Sequence, residues 1–190
     1  MRIGVAHHFG WAVAVTATPD HQVVDRRRIE LIEPGLPAAP IHHEGAAFPL
    51  HQTGEPLDDA TLGALAAEVR ASARRATSAA LDDIEAAVSR PITSMSLRAW
   101  PDDFPDDIAR QRRVPYESRA DSVMYLQVLA VPADERNWAV HFFDAQTVEA
   151  EATRLLGDRA LDVLHAPRQT LGPPWAKDHR MALAATIVAG

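Results

Sequence analysis

Three short β-rich segments stand ahead of one long stretch of helical periodicity, and this order constrains the fold more than any other feature of the chain. Ile3 to Val5, Gly10 to Thr16 and Gln22 to Ile32 are separated only by His7-His8-Phe9-Gly10 and by the turn signal Thr18-Pro19-Asp20-His21. Such close spacing predicts three consecutive antiparallel strands. In the third, Val23, Asp25, Arg27, Ile29 and Leu31 share one face, and Val24, Arg26, Arg28, Glu30 and Ile32 share the other. Charge on both faces marks an edge strand, because a charged edge resists mispairing.

After a loop rich in Pro, Gly and His from Glu33 to Pro56, Asp58 or Asp59 is placed to cap a long helix. Its apolar residues Leu62, Leu65, Val69, Ala73, Ala76, Ala80, Ile84 and Ala87 recur at three- and four-residue steps, and Arg90-Pro91 closes it. Ile92 to Trp100 is a fourth strand. Pro101 to Glu117 is irregular. Ser118 and Asp121 match a capping box opening a helix through Val123, Met124, Gln127, Val128 and Val131. Trp138 to Phe143 reads as a strand buried on both faces. Asp144 is expected to cap the next helix, which carries Val148, Ala152, Leu155 and Leu156 and stops at Gly157. A less regular segment runs to Gln169, and Pro174 is expected in the first turn of a last helix ending near Ala189. Strands that alternate with helices after an antiparallel meander predict an α/β fold, with a mixed five-stranded sheet flanked by helices.

With 190 residues and 47% hydrophobic content, one domain over 1–190 with one core is the expected organisation. The chain has no cysteine, so disulfides, Cys-ligated metals and thiol nucleophiles are excluded, and a reducing cytoplasm is its natural setting. The apolar stretch after Arg2 is too short and too polar for a signal-peptide core. No segment approaches the ~20 apolar residues of a membrane span. A soluble, cytoplasmic protein is expected. The net charge of −7 opposes broad attraction to polyanions and leaves only a local basic patch as a route to nucleic acid.

Three stretches carry a resemblance. Ile3-Gly4-Val5 followed by Gly10-Trp11-Ala12-Val13, then Arg119-Ala120-Asp121-Ser122-Val123-Met124-Tyr125-Leu126, then Asp178-His179-Arg180-Met181-Ala182-Leu183-Ala184, resemble in order the RuvC-type Holliday-junction resolvases. The resemblance implies a ribonuclease H-like fold. It also implies acidic side chains on strand one, strand four and the last helix, holding two Mg²⁺ ions for phosphodiester cleavage. Carried over residue by residue, those positions are Ala6, Leu97 or a neighbour, Asp178 and Met181. One carboxylate cannot hold two hard cations.

Other residues are candidates for a replacement chemistry. His7, His8 and Asp178 form a possible metal set, with His42-His43-Glu44 and His51 on the long loop; imidazole with carboxylate suits a divalent ion such as Mn²⁺, and Mg²⁺ is the ion the resemblance implies. Asp178, His179 and Glu117 are the candidate catalytic residues, and Arg180, Lys177, Arg119 and Arg98 the candidate nucleic-acid or phosphate ligands. Each has a structural alternative. Asp178 also complements the dipole of its helix, Asp121 and Ser118 also serve as caps, and adjacent histidines also serve as turn residues. The clusters Arg26-Arg27-Arg28 and Arg110 to Arg113 read as solvated charges, and Trp11, Trp100, Trp138 and Trp175 as core.

No Walker loop, GxGxxG or GxSxG motif occurs, which removes the usual support for nucleotide hydrolysis, dinucleotide redox chemistry and serine-hydrolase catalysis. The expected function is an interaction module for nucleic acid or another protein, without the two-metal site. The alternative is a metal-dependent nuclease or phosphodiesterase with an altered His/Asp/Glu set.

Overall fold

The computed structural model describes residues 1–45 and 55–189. β1 (Arg2–His8), β2 (Trp11–Ala17) and β3 (Val23–Glu30) form the antiparallel meander, and β4 (Ser94–Arg98) and β5 (Ala139–Phe143) run parallel to β1. The five strands make one mixed sheet in the order β3-β2-β1-β4-β5. The helices are α1 (Asp59–Ala87), α2 (Ile108–Gln111), α3 (Glu117–Glu135), α4 (Val148–Leu156), α5 (Ala160–Leu164), α6 (Pro167–Thr170) and α7 (Lys177–Val188). None of the described helices is long and apolar enough to cross a membrane.

Strand alternation divides the interior into two layers. Ile3, Val5, Met95 and Leu97 pack beneath α1 and α3, against Val69, Ala73, Leu81, Ile84, Met124 and Leu129. Ala6, Val13, Val15 and Ala17 face the opposite side, where α7 supplies Ala182, Leu183 and Ala185 and α4 supplies Val148 and Ala152. Burying a Leu or Ile side chain contributes about 2 kcal/mol, so this two-sided burial is the principal source of cohesion. α7 approaches β1 so closely that a Cβ on Gly4 would lie 1.8 Å from the Ala182 carbonyl oxygen. Gly10, at φ +77°, closes the β1–β2 turn in the left-handed region where glycine carries no Cβ penalty.

Caps and edges differ in part from the expectations. Asp58 does cap α1, accepting the Thr61 N–H at 2.8 Å. β3 is an edge strand as read, and its charges pair along it, Asp25 with Arg27 and Glu30 with Arg28. β5, expected to be buried on both faces, is instead the other edge, with Ala139 exposed and Phe142 56% exposed. An apolar run does not distinguish a central strand from an edge one. Ser118 and Asp121 do not cap α3, whose N-cap position is Tyr116 with no side-chain bond. Asp121 is one turn inside the helix, and its carboxylate accepts the N–H groups of Ile41 (3.1 Å) and His42 (2.8 Å) in a π-helical turn, Ile41–Gly45. Asp144 bonds Gln146 N–H at 2.8 Å in the turn before α4, which starts only at Val148. Pro174 lies outside α7, which starts at Lys177. Trp138 and Trp175 are buried as expected, whereas Trp11 and Trp100 are only partly so.

Candidate functional site

β1 and β4 are adjacent and parallel, so their carboxyl ends open at the same side of the sheet, delivering His7 and His8 from one strand and Arg98 from the other. The first turns of α3 and α7 meet them there. A cavity of about 370 Å³ is lined by His7, His8, Phe9, Arg98, Trp100, Ser118, Arg119 and Ser122. A second, of about 250 Å³, is lined by Ala6, His8, Arg98, Lys177, Asp178 and Met181. Arg98 is in the wall of both. Crevices at the carboxyl ends of parallel strands are the usual ligand sites of open α/β sheets.

The two histidines diverge because successive residues of a strand point to opposite faces. His7 shares a 2.8 Å hydrogen bond between Nε2 and the Ser122 hydroxyl. Burial, reinforced by the charges of Arg98 and His8, pushes its imidazole down to about 4, so it is neutral at pH 7. His8 goes to the α7 side, where Nε2 stands 3.1 Å from Asp178 Oδ2. Its ring stacks on Trp11 at 4.0 Å, and the Arg28 guanidinium lies 4.0 Å from the same indole.

The set His7, His8 and Asp178 is therefore not assembled for a metal. Among the described residues, no three His, Cys, Asp or Glu side chains are grouped to hold an ion, and Ala6 and Leu97 bring no oxygen ligand to the sheet. These residues do not fit the two-metal centre implied by the resemblance. His51 lies outside the described residues.

The remaining candidates separate into two groups. Arg98, Arg119 and Lys177 are exposed at the crevice, and among the described residues none of their side chains has a hydrogen-bond or ion-pair partner. Arg180 instead pairs with Glu149 at 2.9 Å. His179 is buried, its Nδ1 accepts the Ala176 N–H at 3.3 Å, and burial followed by the Arg26 charge lowers its pKa. It closes the start of its own helix. Glu117 is buried, with Oε2 lacking a hydrogen-bond partner among the described residues, and lines neither cavity. The arginine clusters are mostly occupied. Arg26 donates to the carbonyls of Leu171 and Gly172 (2.8 and 3.0 Å), and Arg112 to Asp59 and Gly45 (2.6 and 2.8 Å).

Ser122, Phe9 and Trp100 escaped the sequence reading as site residues. The available signal was helical spacing: Ser122 lies four positions after Ser118 and three after Arg119, which puts it on the face of α3 that those two border. No protein-family model and no curated protein matches the chain.

Proposed function

We propose that this protein is a ribonuclease H-like, resolvase-related domain without the two-metal carboxylate site, serving as a nucleic-acid interaction module. The strand order β3-β2-β1-β4-β5, with β2 antiparallel to the rest of the central strands, supports the fold part of this reading. The observation that carries the binding part is that, among the described residues, the lining of the larger cavity holds no carboxylate and Arg98 and Arg119 stand in it without acidic partners. In a chain with net charge −7 such uncompensated guanidinium groups are a local attraction for phosphate, and the first turns of α3 and α7 add partial positive charge.

Binding of linear and branched nucleic acids by fluorescence anisotropy tests it. Binding that weakens with salt, and by about tenfold in Arg98→Ala or Arg119→Ala, is the expected outcome. Salt-insensitive absence of binding eliminates the reading. The same samples incubated with Mg²⁺ or Mn²⁺ test the nuclease alternative, for which cleavage by the native protein but not by Asp178→Ala is required.

A further inference from the structure

We infer that the larger cavity takes the phosphorylated end of a single strand, one terminal phosphate monoester with its first base, and not a continuous duplex. The inference rests on the nucleic-acid reading above and specifies its substrate.

Three features of the cavity converge. Its volume of about 370 Å³ is near the small end of the range for small-molecule sites, suited to one nucleotide unit and far too small for a double helix. Two guanidinium groups, Arg98 and Arg119, line it, and among the described residues no carboxylate shares that lining, so their combined charge matches a dianionic monoester better than the single charge of an internal diester. The Ser118 hydroxyl lines the same cavity as a donor for phosphate oxygens, and the Ser122 hydroxyl, positioned by its hydrogen bond to neutral His7, joins it in the tautomer whose Nε2–H donates to the serine oxygen.

Part of the lining is aromatic. Phe9 is 37% exposed at the β1–β2 turn, and Trp100 follows β4 with its indole braced edge-to-face by Phe142, centroids 4.9 Å apart. A base stacked on an aromatic side chain contributes roughly 1–3 kcal/mol irrespective of its identity. Phosphate ligands and ring platforms in the lining of one cavity are the combination a terminal nucleotide requires. Bases stacked within a duplex do not expose those faces.

The test compares one short oligothymidylate in four forms: phosphorylated at one end, at the other end, at neither, or closed into a circle. Preference of about tenfold for one phosphorylated form over the unphosphorylated and circular forms is expected, and the end that carries it identifies the polarity. Thymidine monophosphate and inorganic phosphate are then titrated separately. Arg119→Ala should weaken both, whereas Trp100→Ala should weaken only the nucleotide; both positions are at least partly exposed, and unchanged thermal melting verifies folding. Equal affinity for circular and phosphorylated strands overturns the end-specific inference while leaving the interaction module intact. Salt-insensitive absence of binding to every strand removes both. Thymidine monophosphate binding unaffected by either variant places the nucleotide elsewhere and also overturns the inference.

Discussion

At the residue scale, two titratable groups, one buried and one half-buried, oppose each other across the same pH interval. Burial pushes Asp121 up to about 7 despite the two N–H groups it accepts, while His7 is pushed down to about 4. Asp121 binds its proton more tightly in the folded than in the unfolded chain, so its contribution is fully favourable below about 4 and is lost as pH rises through about 7. His7 has the reverse sign. Its contribution is present above about 6.5 and is lost as pH falls toward about 4. Between pH 7 and 4.5 each shift changes the stability by roughly 2–3 kcal/mol, and the two changes nearly cancel. Substitution should expose them. Relative to the native protein, His7→Gln should gain about 2 kcal/mol on that acidification and Asp121→Asn should lose about as much, measured by urea unfolding at both pH values. Parallel pH profiles for all three proteins would show that neither group is perturbed in this way.

At the element scale, the contact between α7 and β1 sets the position of Asp178 against His8, and Gly4 is what permits it. A methyl group at Gly4 would meet backbone, the Ala182 carbonyl, and backbone cannot swing aside as a flexible side chain does. Gly4→Ala should therefore cost about 3 kcal/mol or more, whereas Gly35→Ala, which meets no atom within 4 Å, should show only the smaller penalty of its positive φ; thermal melts compare the two. The identity of most elements was legible because periodicity reports which face is buried: α1 follows its three- and four-residue steps, and Asp58 caps it. What periodicity does not report is the neighbour. The run Trp138 to Phe143 carried no mark of its place at the edge beyond β4, and Asp121 looked like a cap because its actual partners, the N–H groups of Ile41 and His42, are remote in sequence. Pro174 and Asp144 were misplaced for a local reason, since residues suited to a first turn also stabilise the turns that precede one.

At the scale of the whole molecule, composition and site pull in opposite directions, and salt is the variable that separates them. The net charge of −7 repels a polyanion at long range, while Arg98, Arg119 and Lys177 attract it at the open ends of β1 and β4. The sequence made these three cations candidates but did not bring them together; topology did so by setting β4 beside β1 and the starts of α3 and α7 above them. It equally dispersed His179, Arg180 and Glu117, which had stood close in sequence to site residues but turn to their own helix, to Glu149 and to the interior. Three neutralised phosphate charges on a single strand, two on the terminal monoester and one at Lys177, predict a slope of log affinity against log salt of about −2, so a fourfold rise in salt should weaken binding about 16-fold. A protein that holds nucleic acid over a broad basic face shows a much steeper loss, of ~10³-fold or more over the same range. Arg119→Ala should make the slope shallower by about 0.7, while Arg113→Ala, an exposed arginine outside both cavities, should leave it unchanged. A steep slope, or an equal effect of the two substitutions, would mean that binding spreads over the surface and that the crevice is not its focus.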